Sequence, residues 1–107
     1  MPRYLISYLG GNHPSSPAEG QRHFARYMEW LNGLGDAAVS PANPLANTQL
    51  VQPDGSHVEG SHTGMSGFTI VEAESMEAAL AIARDCPFLE IDGSLEVSEL
   101  MPMPGLA

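Results

Sequence analysis

The sequence predicts an α+β domain whose elements run β-α-β-β-α-β, with two helices packed on one face of an antiparallel sheet. Three observations predict it. Tyr4–Leu9 is a short apolar run closed by Gly10-Gly11-Asn12. Ser16-Pro17-Ala18-Glu19 has the form of a helix start. Ser75 opens a second helical stretch that Pro87 must end.

The first strand, Tyr4–Leu9, is rich in aromatic and branched residues and carries apolar side chains on both faces: Tyr4, Ile6 and Tyr8 on one, Leu5 and Leu9 on the other. A strand apolar on both faces belongs in the middle of its sheet. In the first helix Ser16 is the N-cap, Pro17 takes the first helical position and Glu19 completes a capping box. The helix should run to about Leu34, where Gly33 and Gly35 suit its end. Phe24, Tyr27, Met28, Leu31 and Leu34 recur at three- and four-residue spacing and form its expected buried stripe, with Trp30 at the edge.

Residues 36–48, rich in Pro, Asn and Ala, read as a connection. Thr48–Val51 and Ser56–Glu59 read as two short strands about a Pro53-Asp54-Gly55 turn. Gly60–Gly67 is a glycine-rich loop, and Phe68–Ala73 returns to strand character. Ser75 caps the second helix, with Met76, Ala79, Leu80 and Ala83 as its inward stripe. A last strand, about Ser94–Leu100, leads into a proline-rich tail. With no repeat or linker, residues 1–107 form one domain. This order is that of a ferredoxin-like two-layer sandwich. Helices on one face leave Leu5, Leu9 and Val71 expected on the other, and pairing of two sheets in a homodimer is the simplest cover.

Thirteen acids stand against four arginines, giving a net charge of −9. Nucleic acid and anionic membrane surfaces are polyanions and would be repelled. The early apolar run is far shorter than the ~20 residues of a membrane span. Cys86 is the only cysteine, so no internal disulfide can form, and a reducing, cytoplasmic setting is expected.

Four stretches resemble the YCII-related or DGPF-domain proteins. They are the opening Tyr-Leu-Ile strand, His23–Leu31, Gly67–Ala73 followed by Ser75–Pro87, and Gly93-Ser-Leu-Glu-Val97. The resemblance implies a ferredoxin-like fold in the dimeric α+β barrel group, with the sheets of two chains face to face. His23 matches a helix-start histidine that one branch of the family pairs with an aspartate after a Gly-Pro turn. Here Ser40-Pro41 resembles the turn, but Pro44-Leu45-Ala46-Asn47 follows it without an acid. The Asp-Gly-Pro-Phe signature is replaced by Glu59–Met65, and Gly20 stands where an arginine is often found. A few members are lyase-like enzymes of small chlorinated or unsaturated acids.

His23 is the leading candidate for chemistry, since imidazole exchanges a proton near neutral pH. As a general base it needs an orienting partner, for which Asp36 or Asn47 would have to fold back. Tyr8, Asn47 and His62 are candidate ligand contacts, in a pocket expected between the first helix and the 36–47 and 60–67 loops. Trp30 and Phe88 are further aromatics that suit either a pocket or the core. His13, His23, His57 and His62 match no standard metal spacing, and the glycine-rich stretches lack a Gly-Lys-Ser/Thr. No metal or cofactor is therefore expected. No serine has a nucleophile-elbow context, and Cys86 beside Asp85 at a helix end is disfavoured as a thiolate. Three readings stay open: a dimeric small-molecule binder, a small-acid lyase or hydrolase using His23, and a non-catalytic partner of a regulatory protein.

Overall fold

A computed structural model describes residues 1–105; residues 106 and 107, the end of the proline-rich tail, lie outside the described residues. Strand β1 spans Arg3–Gly10, helix α1 Pro17–Leu34, β2 Ala38–Pro44, β3 Gln49–Val51, β4 His57–Glu59, β5 Met65–Glu72, helix α2 Met76–Arg84 and β6 Gly93–Glu99. Four strands form one antiparallel sheet in the order β2-β5-β1-β6, the ferredoxin-like arrangement, with β1 central as its two apolar faces require.

One edge of the sheet differs from the expected one. Residues 38–44 were expected to be a connection and are instead the edge strand β2. Pro41 and Pro44 mask its strand character, and an edge is where a sheet tolerates prolines. Two register shifts against β5 lift the chain around Pro41-Ala42, and Asn43 repairs the ladder by donating from Nδ2 to the Phe68 carbonyl at 3.1 Å. The two short strands expected in the sheet, β3 and β4, pair only with each other. Their hairpin stands off the body: the radius of gyration is 15.6 Å, against about 13 Å for a compact domain of this length.

Both helices start as their sequences dictate. The Ser16 hydroxyl accepts from the Glu19 amide at 3.1 Å, and the Ser75 hydroxyl accepts from the Ala78 amide at 3.1 Å. The Glu19 carboxylate reaches back to Ser15 rather than to the Ser16 amide, and that bond holds its carboxyl below the usual range. Gly35, at φ 55°, ends α1 in a conformation that a side chain resists. After α2, Pro87 begins a 3-10 turn, Pro87–Ile91, that aims Phe88 back at the sheet.

The core lies between sheet and helices and holds Tyr4, Ile6, Tyr8, Val71, Ala73, Ala79, Ala83 and Cys86. Trp30 docks α1 on α2 by donating from Nε1 to the Ile82 carbonyl at 3.1 Å. Val71 was expected on the outer face. It pairs directly with Tyr4, and paired residues share a face, so Val71 is in the core. The outer face instead carries Leu5, Leu9, Phe68 and Ile70, all half-buried. Among the described residues, no helix is long and apolar enough to cross a membrane.

Candidate functional site

Tyr8 lies near the end of β1 with its ring on the helix side. It meets Tyr27 edge-on at 5.9 Å between ring centres and Phe88 at 5.3 Å with a 43° tilt. These aromatics back a cleft of about 420 Å³ lined by Tyr8, His23, Phe24, Tyr27, Met28, Ala42, Asn43, Pro44, Ser66, Gly67 and Phe88. That volume suits a small organic molecule. One wall is α1. His23 and Tyr27 stand four residues apart, as do Phe24 and Met28, so each pair stacks along one helix face. Phe24 is 62% exposed and Met28 37%. The periodicity placed both in a buried stripe, but α1 closes on the sheet only at its Leu31 end, leaving the stripe's first turns over the cleft.

The facing wall is the bulged end of β2. Asn43 is held by bonds to Ser40 and to the Phe68 carbonyl. The floor is Ser66-Gly67. A Cβ on Gly67 would sit 3.0 Å from the Asn43 carbonyl and 3.5 Å from the Tyr8 ring, so glycine is what lets β2 and Tyr8 approach.

The polar groups at the bottom form a chain. Thr69, fully buried on β5, donates to the Pro41 carbonyl at 2.6 Å. The Tyr8 hydroxyl is bonded to the Thr69 hydroxyl and, at 2.9 Å, to the Tyr27 hydroxyl. Burial drives the Tyr8 phenol far above its ordinary range, so it remains a neutral O–H. The bulge in β2 matters here, because it turns the Pro41 carbonyl toward Thr69 instead of along the ladder.

Of the residues singled out by sequence, Tyr8 and His23 line the cleft together. His23 is half-buried, and among the described residues no side chain hydrogen-bonds its ring. Asp36 cannot orient it: Asp36 lies past the opposite end of α1, about 20 Å away along the axis at 1.5 Å per residue. Asn47 is exposed at φ 56° in the turn between β2 and β3 and does not line the cleft. His62 is exposed in a loop tied by Ser61 and Thr63 to its own backbone, also outside the lining. Phe24, Tyr27, Met28 and Asn43 also line the cleft, although no sequence motif marked them for it. Phe24, Tyr27 and Met28 all lie within five residues after His23 on the same helix, and that run of large side chains was the available signal. Among the described residues no three His, Cys, Asp or Glu side chains are grouped to hold a metal.

The family model described as the YCII-related domain matches residues 5–104. Among curated proteins none matches. Among solved structures, the chain is similar to 5-chloro-2-hydroxyhydroquinone dehydrochlorinase from Burkholderia phenoliruptrix, in complex with 2,5-dihydroxybenzoquinone. The identity is 19% over 92% of this chain and 93% of that one, with a TM-score of 0.57. At that identity the likeness carries the fold.

Proposed function

The chain belongs to the YCII-related domain family, and from that footing we propose that it binds a small hydroxylated aromatic or quinoid molecule in the cleft between α1 and β2. The observation that carries this is the lining. Three aromatic rings at the back and two uncovered apolar side chains on α1 enclose a space with few polar groups. Planar, mostly apolar ligands gain from such surfaces, and the tyrosine hydroxyls fix orientation. The similar dehydrochlorinase, solved in complex with 2,5-dihydroxybenzoquinone, supports the same ligand class.

Charge argues for a neutral ligand over a carboxylate. None of the lining residues is an arginine, Arg26 is paired with Glu90 outside the cleft, and the chain's net charge is −9. A second reading keeps the same cleft and makes His23 a general base for elimination from a bound ring. Its support is that the imidazole lines the space a ligand would fill.

Calorimetric titration with hydroquinone, a dihydroxybenzene that is uncharged at neutral pH, tests the binding reading. Saturable binding is expected, weakened at least about tenfold in Phe24→Asp, which places a charge on the apolar wall. The absence of saturable binding, or an affinity indifferent to that substitution, sinks it. The catalytic reading requires turnover of a chlorinated hydroquinone that His23→Ala abolishes while binding persists. We further propose that the protein is a homodimer joined through its outer sheet face, where Leu5, Leu9, Phe68 and Ile70 need cover.

A further inference from the structure

The Tyr27–Tyr8–Thr69–Pro41 chain has a direction. A carbonyl oxygen can only accept, so the single hydroxyl proton of Thr69 is committed to Pro41. Thr69 then has lone pairs but no proton for its other partner, and Tyr8 must donate to it. With its own proton spent, the Tyr8 oxygen can only accept from Tyr27. Each step follows from the one before, and the anchor is a main-chain carbonyl that cannot rotate. Tyr8 cannot escape by ionising, since it is buried among aromatic rings.

Granting that the cleft holds a ligand, we infer that this chain makes Tyr27 a dedicated hydrogen-bond acceptor and so selects ligands bearing an O–H donor. Tyr27 is half-buried and lines the cleft, and its proton is turned away from that space toward Tyr8. What it leaves for a ligand is oxygen lone pairs. A phenolic hydroxyl satisfies them. An ether or carbonyl oxygen at the same place sets two acceptors against each other with no proton between them. A site whose polar group is left unpaired by the wrong ligand discriminates more sharply than an apolar wall. The specificity is therefore set by Thr69 and Tyr8, which position the Tyr27 proton, as much as by Tyr27 itself.

4-Methylphenol and anisole test this, being isomers that differ in whether the oxygen carries a proton. Dissociation constants of both are measured by NMR titration for the wild type, Thr69→Val, Tyr8→Phe and Tyr27→Phe. The wild type is expected to bind 4-methylphenol about tenfold more tightly than anisole. In Thr69→Val the Tyr8 proton turns to Tyr27, which frees the Tyr27 proton for the ligand, and the gap between isomers collapses. Tyr8→Phe keeps the Thr69–Pro41 bond and should collapse the gap by removing the acceptor of the Tyr27 proton. Tyr27→Phe weakens 4-methylphenol alone. General damage to the cleft weakens both isomers together and leaves their ratio unchanged, so the ratio isolates the proton's direction. Equal binding of the isomers by the wild type, or a gap that survives both Thr69→Val and Tyr8→Phe, overturns the inference while leaving the cleft a ligand site. Failure of both isomers to bind the wild type overturns the inference and the binding reading together.

Discussion

Cys86 is 2% exposed, and burial pushes its thiol up to about 11 from an ordinary value of 9.0. Two consequences follow for one side chain. At pH 8 its thiolate is about a hundredfold scarcer than that of a free cysteine, so alkylation by iodoacetamide should be slow until the protein unfolds. The folded state also holds the proton more tightly than the unfolded chain. Stability from this group is thus complete below pH 9 and is lost as pH rises through 11, by roughly 2–3 kcal/mol. Thermal melts from pH 8 to 11 should fall more steeply for the wild type than for Cys86→Ala, and parallel curves would refute the assignment. Tyr8, raised further by burial, adds a loss of the same sign at still higher pH, common to both proteins. The expectation of an inert Cys86 was legible from the neighbouring Asp85 and the helix end. Its burial was expected too, since a free cysteine usually packs as a small apolar residue. The neighbours that bury it were not legible, because they depend on what α2 packs against.

The hairpin β3–β4 was legible in sequence as an element and misread as a place in the sheet. Its strands and the Asp54-Gly55 turn obey local rules: Asp54 accepts from the Ser56 amide at 2.9 Å, and Gly55 sits at φ 89°. Among the described residues, its backbone hydrogen bonds are all internal, as with Gln52 to Ser56 and Gly60 to Thr48. An isolated two-stranded hairpin is marginal in water. Its amides should exchange far faster than those of β1 and β5, and replacing residues 48–60 by a short Gly-Ser link should change the melting temperature by no more than a few degrees. A large loss of stability would show that the arm is tied to the body. The strand that does complete the sheet, β2, was hidden by its prolines. Its pairing depends on the Asn43 side chain and on a partner edge that only β5 supplies.

Across the whole molecule the two faces of the sheet contrast. One is covered by helices, while the other leaves Leu5, Leu9, Phe68 and Ile70 half-buried beside the Arg3–Glu72 ion pair. If two chains join there, Phe68→Glu on each should separate them, since two opposed carboxylates would be buried without partners. Sedimentation equilibrium should give twice the 11.4 kDa chain mass for the wild type and a single chain for the variant. Because each chain carries −9, the dimer should tighten with added salt. A wild-type mass of one chain at high micromolar concentration would rule the interface out.

The sequence by itself determined what depends on neighbours a few residues apart. Serine caps, glycine and proline stops and apolar spacing located both helices, the central strand and the hairpin turn, and they marked His23 and Tyr8 as residues of interest. Tertiary structure alone decided what depends on residues far apart in the chain. It placed Val71 inside rather than outside, since register with Tyr4 sets its face. It left Phe24 and Met28 uncovered over a cleft and kept Asn47 and His62 out of its lining. It also joined Tyr27, Tyr8, Thr69 and Pro41, from three strands and a helix, into one chain of hydrogen bonds. Local signals bias φ, ψ and helix ends one turn at a time. A site is made by the packing of whole elements, and that packing is fixed only when the sheet order and its bulges are.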